Sequence, residues 1–263
     1  MECYTCRRKH IYSISAYANG IAYWMGKGNF YKYDGRSQPL RCDVRRYVFN
    51  DFNSLQYPQV FAGSNEAFHE VWWFYCSSDV NNIDRYVIYN YLEDIWYYGT
   101  LARTAWVGSG LRDKPTAATY DNNLVNHEDG VDDKQTSVSS PSAITAFVES
   151  AEFDLDDGDR FAFVYRLVPD ISFDGSTADN PAATFTLNPL GSSGSGINSP
   201  TSEGGSNSGA VTRSATSPVE VYTDQVYTRV RGRQMSMKIQ STGAGTTWQV
   251  GIPRIDIRPD GRR

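Results

Sequence analysis

Three short units of one kind recur along the first half of the chain. Each opens with an aromatic or apolar strand, at Tyr23-Trp24, at Trp72-Trp73 and at Ala117 to Tyr120, then runs through a polar turn into a second strand. The second unit begins 49 residues after the first, and the third about 47 after that. The first and third close on acidic-glycine steps, Tyr33-Asp34-Gly35 and Glu128-Asp129-Gly130. A period in the high forties built from short strands is that of β-propeller blades, where each repeat is one four-stranded sheet buried against its neighbours. Three units make a partial or open propeller-like array, because a closed ring takes four or more blades. Further repeats upstream, or supplied by partner subunits, are therefore expected.

The densest aromatic stretch, RYVIYNYLEDIWYYG from Arg85 to Gly99, fits the same reading. Alternation places Tyr86, Ile88 and Asn90 on one face and Val87, Tyr89 and Tyr91 on the other; beyond a turn at Leu92-Glu93-Asp94, Ile95 and Tyr97 oppose Trp96 and Tyr98. Both faces are apolar, as in a sheet covered on each side. Cross-strand aromatic pairs stabilise sheets, so these rings read as interior and not as a ligand platform.

One amphipathic helix is expected over about 43–56. Val44, Tyr47, Val48, Phe52 and Leu55 fall on one helical face, Asp43 is placed as N-cap, and Pro58 lies just past the end. Its other face carries Arg45, Arg46 and Asn53. From Ser142 the texture changes to longer alternating strands. Ile144, Ala146 and Val148 alternate, as do Phe161, Phe163, Tyr165 and Leu167, and Met235, Met237 and Ile239. Such runs bounded by Gly, Asp and Pro read as an antiparallel sandwich, with Pro169 and Pro253 at strand ends, bulges or edges. Between them the Gly/Ser-rich residues 188–218 read as a flexible loop whose flanking strands pair in one sheet system. The expected fold is all-β: propeller-like repeats with an inserted helix over 1–140, then a β-sandwich over 141–263.

Charge divides the chain differently. Residues 1–50 carry a net +6, 51–218 a net -15 and 219–263 a net +4. The overall charge of -5 argues against broad affinity for nucleic acid. The N-terminal MECYTCRRKHIYS lacks the apolar core of a signal peptide, no run is long enough for a membrane anchor, and four uneven cysteines fit reduced thiols in a cytosolic setting.

Candidate chemistry is thin. Cys3-x-x-Cys6 with His10 and Cys42 lacks the second spaced pair of a zinc site. The acidic run Glu152 to Asp159 departs from calcium-loop spacing and reads as a turn. His127 beside Glu128 and Asp129 has no nucleophile turn with it, and there is no glycine-rich phosphate loop. No catalytic residue, metal or cofactor is expected, and the chain is read as a non-enzyme. The more telling groups are basic. Arg229, Arg231 and Arg233 fall at i, i+2, i+4 on one strand face; Arg254 and Arg258, then Arg262 and Arg263, follow. With Arg45 and Arg46 these are interface candidates, expected to face the acidic middle of a neighbouring subunit, with a DNA-facing lining as the other reading. Assembly through such charges would weaken in high salt.

The motifs YWMGKGNFYKYDGRSQPL, RRYVFNDFN, EVWWFY, DRYVIYNYLEDIWYYGTLARTAW, HEDG and ESAEFDLDDGDRF, and the closing TRVRGRQMSMKIQS and RIDIRPDGRR, run in order along the chain. From about Gly20 to Arg263 it resembles the C-terminal part of tail tube, hub or nozzle proteins of short-tailed bacteriophages, the packaged-DNA stabilisation type. The resemblance implies propeller-like repeats joined to sandwich regions, and copies assembled, as hexamers, into a tube that continues the portal channel. It implies portal-adaptor and tail proteins as partners, and double-stranded DNA passing through without sequence-specific binding. The place implied is the virion tail, after synthesis in the host cytoplasm, and no catalytic residues carry over. Two other classes stay open. A receptor- or carbohydrate-binding tail module would set Trp72, Trp96, Trp106 or Trp248 in a shallow groove, and a depolymerase would need convergent carboxylates.

Overall fold

The first two aromatic units each build a four-stranded antiparallel meander. A computed structural model of the chain describes residues 15–109, 114–135, 140–155, 160–190 and 214–261. The protein is all-β. Among the described residues no helix is long and apolar enough to cross a membrane. The chain divides into two compact units between Asp129 and Gly130. The pairing of β12 (Asp132–Asp133) with β13 (Ser142–Ala143) spans the 140/141 boundary expected from sequence and ties both sides of it to the second unit.

In the first unit, β1 (Ser15–Ala18), β2 (Ile21–Met25), β3 (Phe30–Tyr33) and β4 (Ser37–Leu40) pair in chain order. The β1–β2 connection is Asn19-Gly20, both at positive φ (49° and 76°), as a two-residue hairpin turn matched to strand twist requires. The second meander is β5 (Phe61–Asn65), β6 (Glu70–Tyr75), β7 (Arg85–Asn90) and β8 (Ile95–Thr100). A third sheet of three strands follows: β9 (Ala105–Val107), β10 (Thr116–Ala118) and β11 (Leu124–Asn126), with β10 central.

Alternation sorts the aromatics of the second sheet between two cores. Val71, Trp73, Tyr75, Val87 and Tyr89 join Tyr23, Met25 and Phe30 of the first sheet in one cluster, with Trp96 and Tyr98 packed against it. Trp72, Phe74 and Ile88 turn the other way and, with Tyr86, meet Trp106 of β9. The middle sheet is thus covered on both faces, and the ring assignment read from alternation in β7 is the one observed. Strand β8 departs from it in part, since Ile95 and Tyr97 are exposed.

The expected helix is much shorter. Within 43–56 only α1 (Arg45–Asn50) is α-helical, its N-cap is Val44 without a side-chain bond, and Asp43 pairs with Arg41 instead. Beyond Asn50 the backbone is diverted: Asn53 N–H donates to Cys76 C=O, and Phe52 bridges Ser77. Asn53 Oδ1 then accepts from Leu55 N–H and starts a 3-10 turn over Ser54–Gln59 that contains Pro58. Leu55, placed on the apolar face by its spacing, is 87% exposed. A capping side chain and a neighbouring strand outcompete helix continuation here.

In the second unit, β21 (Gln234–Ser241) pairs on one side with β18 (Ala182–Leu190), which pairs with β19 (Ala215–Glu220). Its other side takes two short strands in turn, β14 (Ala146–Glu149) and β15 (Phe153–Asp154). A second sheet places β16 (Ala162–Val168) between β20 (Val226–Gly232) and β23 (Arg254–Pro259). A small ribbon joins β17 (Ile171–Ser172) to β22 (Gln249–Val250). The two larger sheets share cores in a sandwich-like arrangement: Ala162, Val164 and Val230 pack with Leu187 and Met235, and Leu167 packs with Ala183, Phe185, Val219 and Ile239.

Two expectations change in this unit. Strand pairing reaches into the predicted loop, as Asn188–Leu190 and Ala215–Pro218 lie in β18 and β19; residues 191–213 fall outside the described set. The flanking strands do pair, Ala182 with Glu220 through Leu187 with Ala215. Strand β14 is exposed along its whole length, because it is an edge strand and Ile144 and Val148 do not reach the core.

Candidate functional site

The third change creates the most distinctive surface of the protein. Phe161, Phe163, Tyr165 and Leu167 alternate in the sequence as if on one face, yet Ala162 and Val164 are the buried residues, together with Leu167. Pairing of β16 with both neighbours shifts register between Val164 and Arg166. This bulge lets the strand bury even-numbered residues before it and Leu167 after it, and leaves Tyr165 and Arg166 on the outer face together.

That outer face gathers the C-terminal arginines. Phe163 is in register with Arg231 on β20 and with Arg258 on β23; Arg166 is in register with Tyr227 and Asp256, and Val168 with Arg254. Arg229 lies between Tyr227 and Arg231 on the same face, by strand alternation. The guanidiniums are laid on rings: Arg231 lies 4.0 Å and Arg233 4.8 Å from the Phe161 centroid, and Arg258 4.3 Å from that of Tyr165. Arginine over an aromatic face gains roughly 0.5–1 kcal/mol at an exposed site and holds its plane in a fixed attitude.

Two carboxylates share this face. Asp256 forms an ion pair with Arg166, and Asp260 with Arg231. Among the described residues Arg229, Arg254 and Arg258 have no carboxylate partner, and all three are exposed. Six arginines against two aspartates leave the face strongly positive on a chain whose total charge is -5. Of the interface candidates, the structure therefore brings together Arg229, Arg231, Arg233, Arg254 and Arg258. Arg45 and Arg46 belong to the other unit, where Arg45 Nη1 donates to Gly28 C=O at 3.4 Å and Arg46 is exposed. Sequence reading missed Phe161, Tyr165 and Arg166 as members; the i, i+2 series of Arg229, Arg231 and Arg233 was the available signal, but the bulge was not legible.

The remaining candidates resolve otherwise. Cys3, Cys6 and His10 lie outside the described residues, as do residues 156–159 of the acidic run. Cys42 is half-buried, and burial pushes its thiol up to about 12, away from the thiolate a metal needs. His127 Nε2 accepts from Arg103 Nε at 3.0 Å, and Asp129 is paired with Lys114. Each tryptophan proposed for a groove uses its indole N–H inside the protein: Trp72 to Glu70, Trp96 to Arg41 C=O, Trp106 to Ser64 C=O and Trp248 to Ser241 Oγ. Trp72 is buried and the other three are partly buried.

The fold also joins two carboxylates that the sequence keeps far apart. Glu70, half-buried, has its carboxyl raised first by burial and further by the Glu128 charge; loss of hydration raises Glu128 as well. Asn65 Nδ2 donates to Glu128 at 3.4 Å. A carboxyl raised on folding stabilises most below its unfolded pKa, and that contribution fades as pH rises through the folded value. Glu70→Gln is therefore expected to raise the thermal midpoint at neutral pH and to leave it unchanged at pH values below the ordinary carboxylate range. Differential scanning fluorimetry across pH checks this, and a lower midpoint at neutral pH would contradict it.

No protein-family model and no curated protein matches this chain.

Proposed function

We propose that the protein is a virion structural component of a phage tail, contributing to an oligomeric tube or nozzle that retains and conducts the packaged genome. The supporting observation is the build of the first unit. Four-stranded meanders start 46 residues apart, at Ser15 and Phe61, and a third sheet starts 44 further on, at Ala105. The middle sheet is packed on both faces, the way a propeller-like blade sits between its neighbours. A sandwich-like unit follows, and this pairing of architectures is what the motif resemblance implies. On this reading the protein acts by assembly and not by turnover, and it forms a closed ring, six-fold by the same resemblance.

Mass measurement and negative-stain electron microscopy of the purified chain test the proposal. Rings with a central channel are expected. Monomers at all concentrations, or compact trimers without a channel, would overturn it.

A further inference from the structure

We infer that the outer face of the β20–β16–β23 sheet is a sequence-independent contact for the phosphate backbone of double-stranded DNA. The inference rests on the tail-tube reading for the choice of duplex DNA among polyanions; the face itself rests on register, exposure and charge. Three exposed guanidiniums without carboxylate partners, Arg229, Arg254 and Arg258, come from the two outer strands and flank the Phe163 and Arg166 rows of the central one. Asp256 and Asp260, the acids beside them, are engaged by Arg166 and Arg231.

The chemistry favours phosphate over a protein surface. A stable protein interface centres on apolar anchors and keeps most charge at its rim. On this face the order is inverted: the Phe161 and Tyr165 rings are covered by arginines, and Arg229, Arg254 and Arg258 stand exposed. Contacts with DNA are more polar and far more positive than contacts between proteins, and arginine forks match phosphate oxygens. The same layering explains the lack of sequence reading. Rings that hold arginines are not open for base stacking, and Tyr227, 73% exposed, is a single ring and not a stacking track. A few phosphate contacts per subunit, on an otherwise acidic protein, give weak attachment that each copy can release. Such contacts orient a duplex without arresting its movement.

Titration of a fluorescent mixed-sequence duplex with the full chain tests this, with ring formation scored separately by microscopy. Three phosphate contacts predict a slope of about -2.7 in log affinity against log salt, or roughly a fortyfold loss between about 50 and about 200 mM. Joint replacement Arg229→Gln, Arg254→Gln and Arg258→Gln should abolish measurable binding at low salt, with the unfolding midpoint lowered no further than by Arg258→Gln alone, which gives up the stacking on Tyr165. The corresponding Lys replacements, which keep the charge, should retain binding.

If the wild-type chain binds no duplex at low salt, or the Gln variant binds as tightly as the wild type, the inference fails. It fails equally if the Gln variant loses its rings and keeps its DNA affinity, because the face would then be a subunit contact. Duplex binding that is lost in the Gln variant, from a chain that never forms rings, would sustain the phosphate site and remove the tube. Rings without duplex binding would do the reverse.

Discussion

Replacing Trp73 with alanine is expected to destabilise the first unit by about 3–5 kcal/mol, the range for truncating a large buried aromatic. Trp73 is fully buried on β6, with ring centroids of Phe30 at 5.0 Å and Trp96 at 5.9 Å. It sits where the first and second sheets meet, so its loss opens a cavity lined from both. Its Nε1–H is buried without an acceptor, and an unmet donor of that kind costs about 1–3 kcal/mol. Trp73→Phe removes the orphaned donor and keeps most of the ring, so its cost should be less than half that of alanine. Urea unfolding of the full chain separates the two variants. Equal losses would mean that ring volume at this position does not hold the sheets together.

Gly63→Ala should also be severe for so small a change, at about 3 kcal/mol, the upper part of the usual range for overpacking. Gly63 lies on β5 opposite Trp72, and a methyl group there would come within 2.6 Å of Trp106 Cγ and 2.8 Å of its Nε1. The indole has little freedom to retreat. It donates to Ser64 C=O at 3.1 Å and stacks on Trp72 at 5.1 Å. If this contact is the cause, the same replacement should cost much less in a Trp106→Ala background, where the methyl group meets open space. Full additivity of the two losses in a double-mutant cycle would place the strain elsewhere.

These two positions show what a linear reading can and cannot reach. The opposed faces of β6 and β7 follow from a period of two, because pleating alone decides which way Trp72 and Trp73 point. The glycine that makes room for Trp106 stands 43 residues before it, and nothing local marks the pair. The overlong helix arose because spacing at Val44, Tyr47, Val48, Phe52 and Leu55 says nothing about Asn53 capping a different turn. In β16 the error was one of phase. Phe161, Phe163 and Tyr165 alternate with Leu167 in the sequence as one series, yet the bulge puts Leu167 on the buried face and leaves Phe161 and Tyr165 as seats for arginines. Half of that site was legible, in the alternating arginines of β20. The other half needed the register of β23, about 90 residues along the chain from β16, and a bulge that places Arg166 outside. The Glu70–Glu128 pair was illegible for the same reason of separation.

The pairing order carries a consequence for how the chain acquires its structure during synthesis. The first two sheets are meanders in which every strand finds its partner next along the chain, so each can close soon after it is made. Strand β16 has no such neighbour. It waits for β20 and β23, leaving one edge open until residues 226–232 have emerged and the other until residues 254–259 follow. Contacts of such sequence separation form slowly, and an unpaired strand is a template for association with another chain. The interval between making β16 and making β23 is thus when a nascent copy is most exposed to pairing with the wrong molecule.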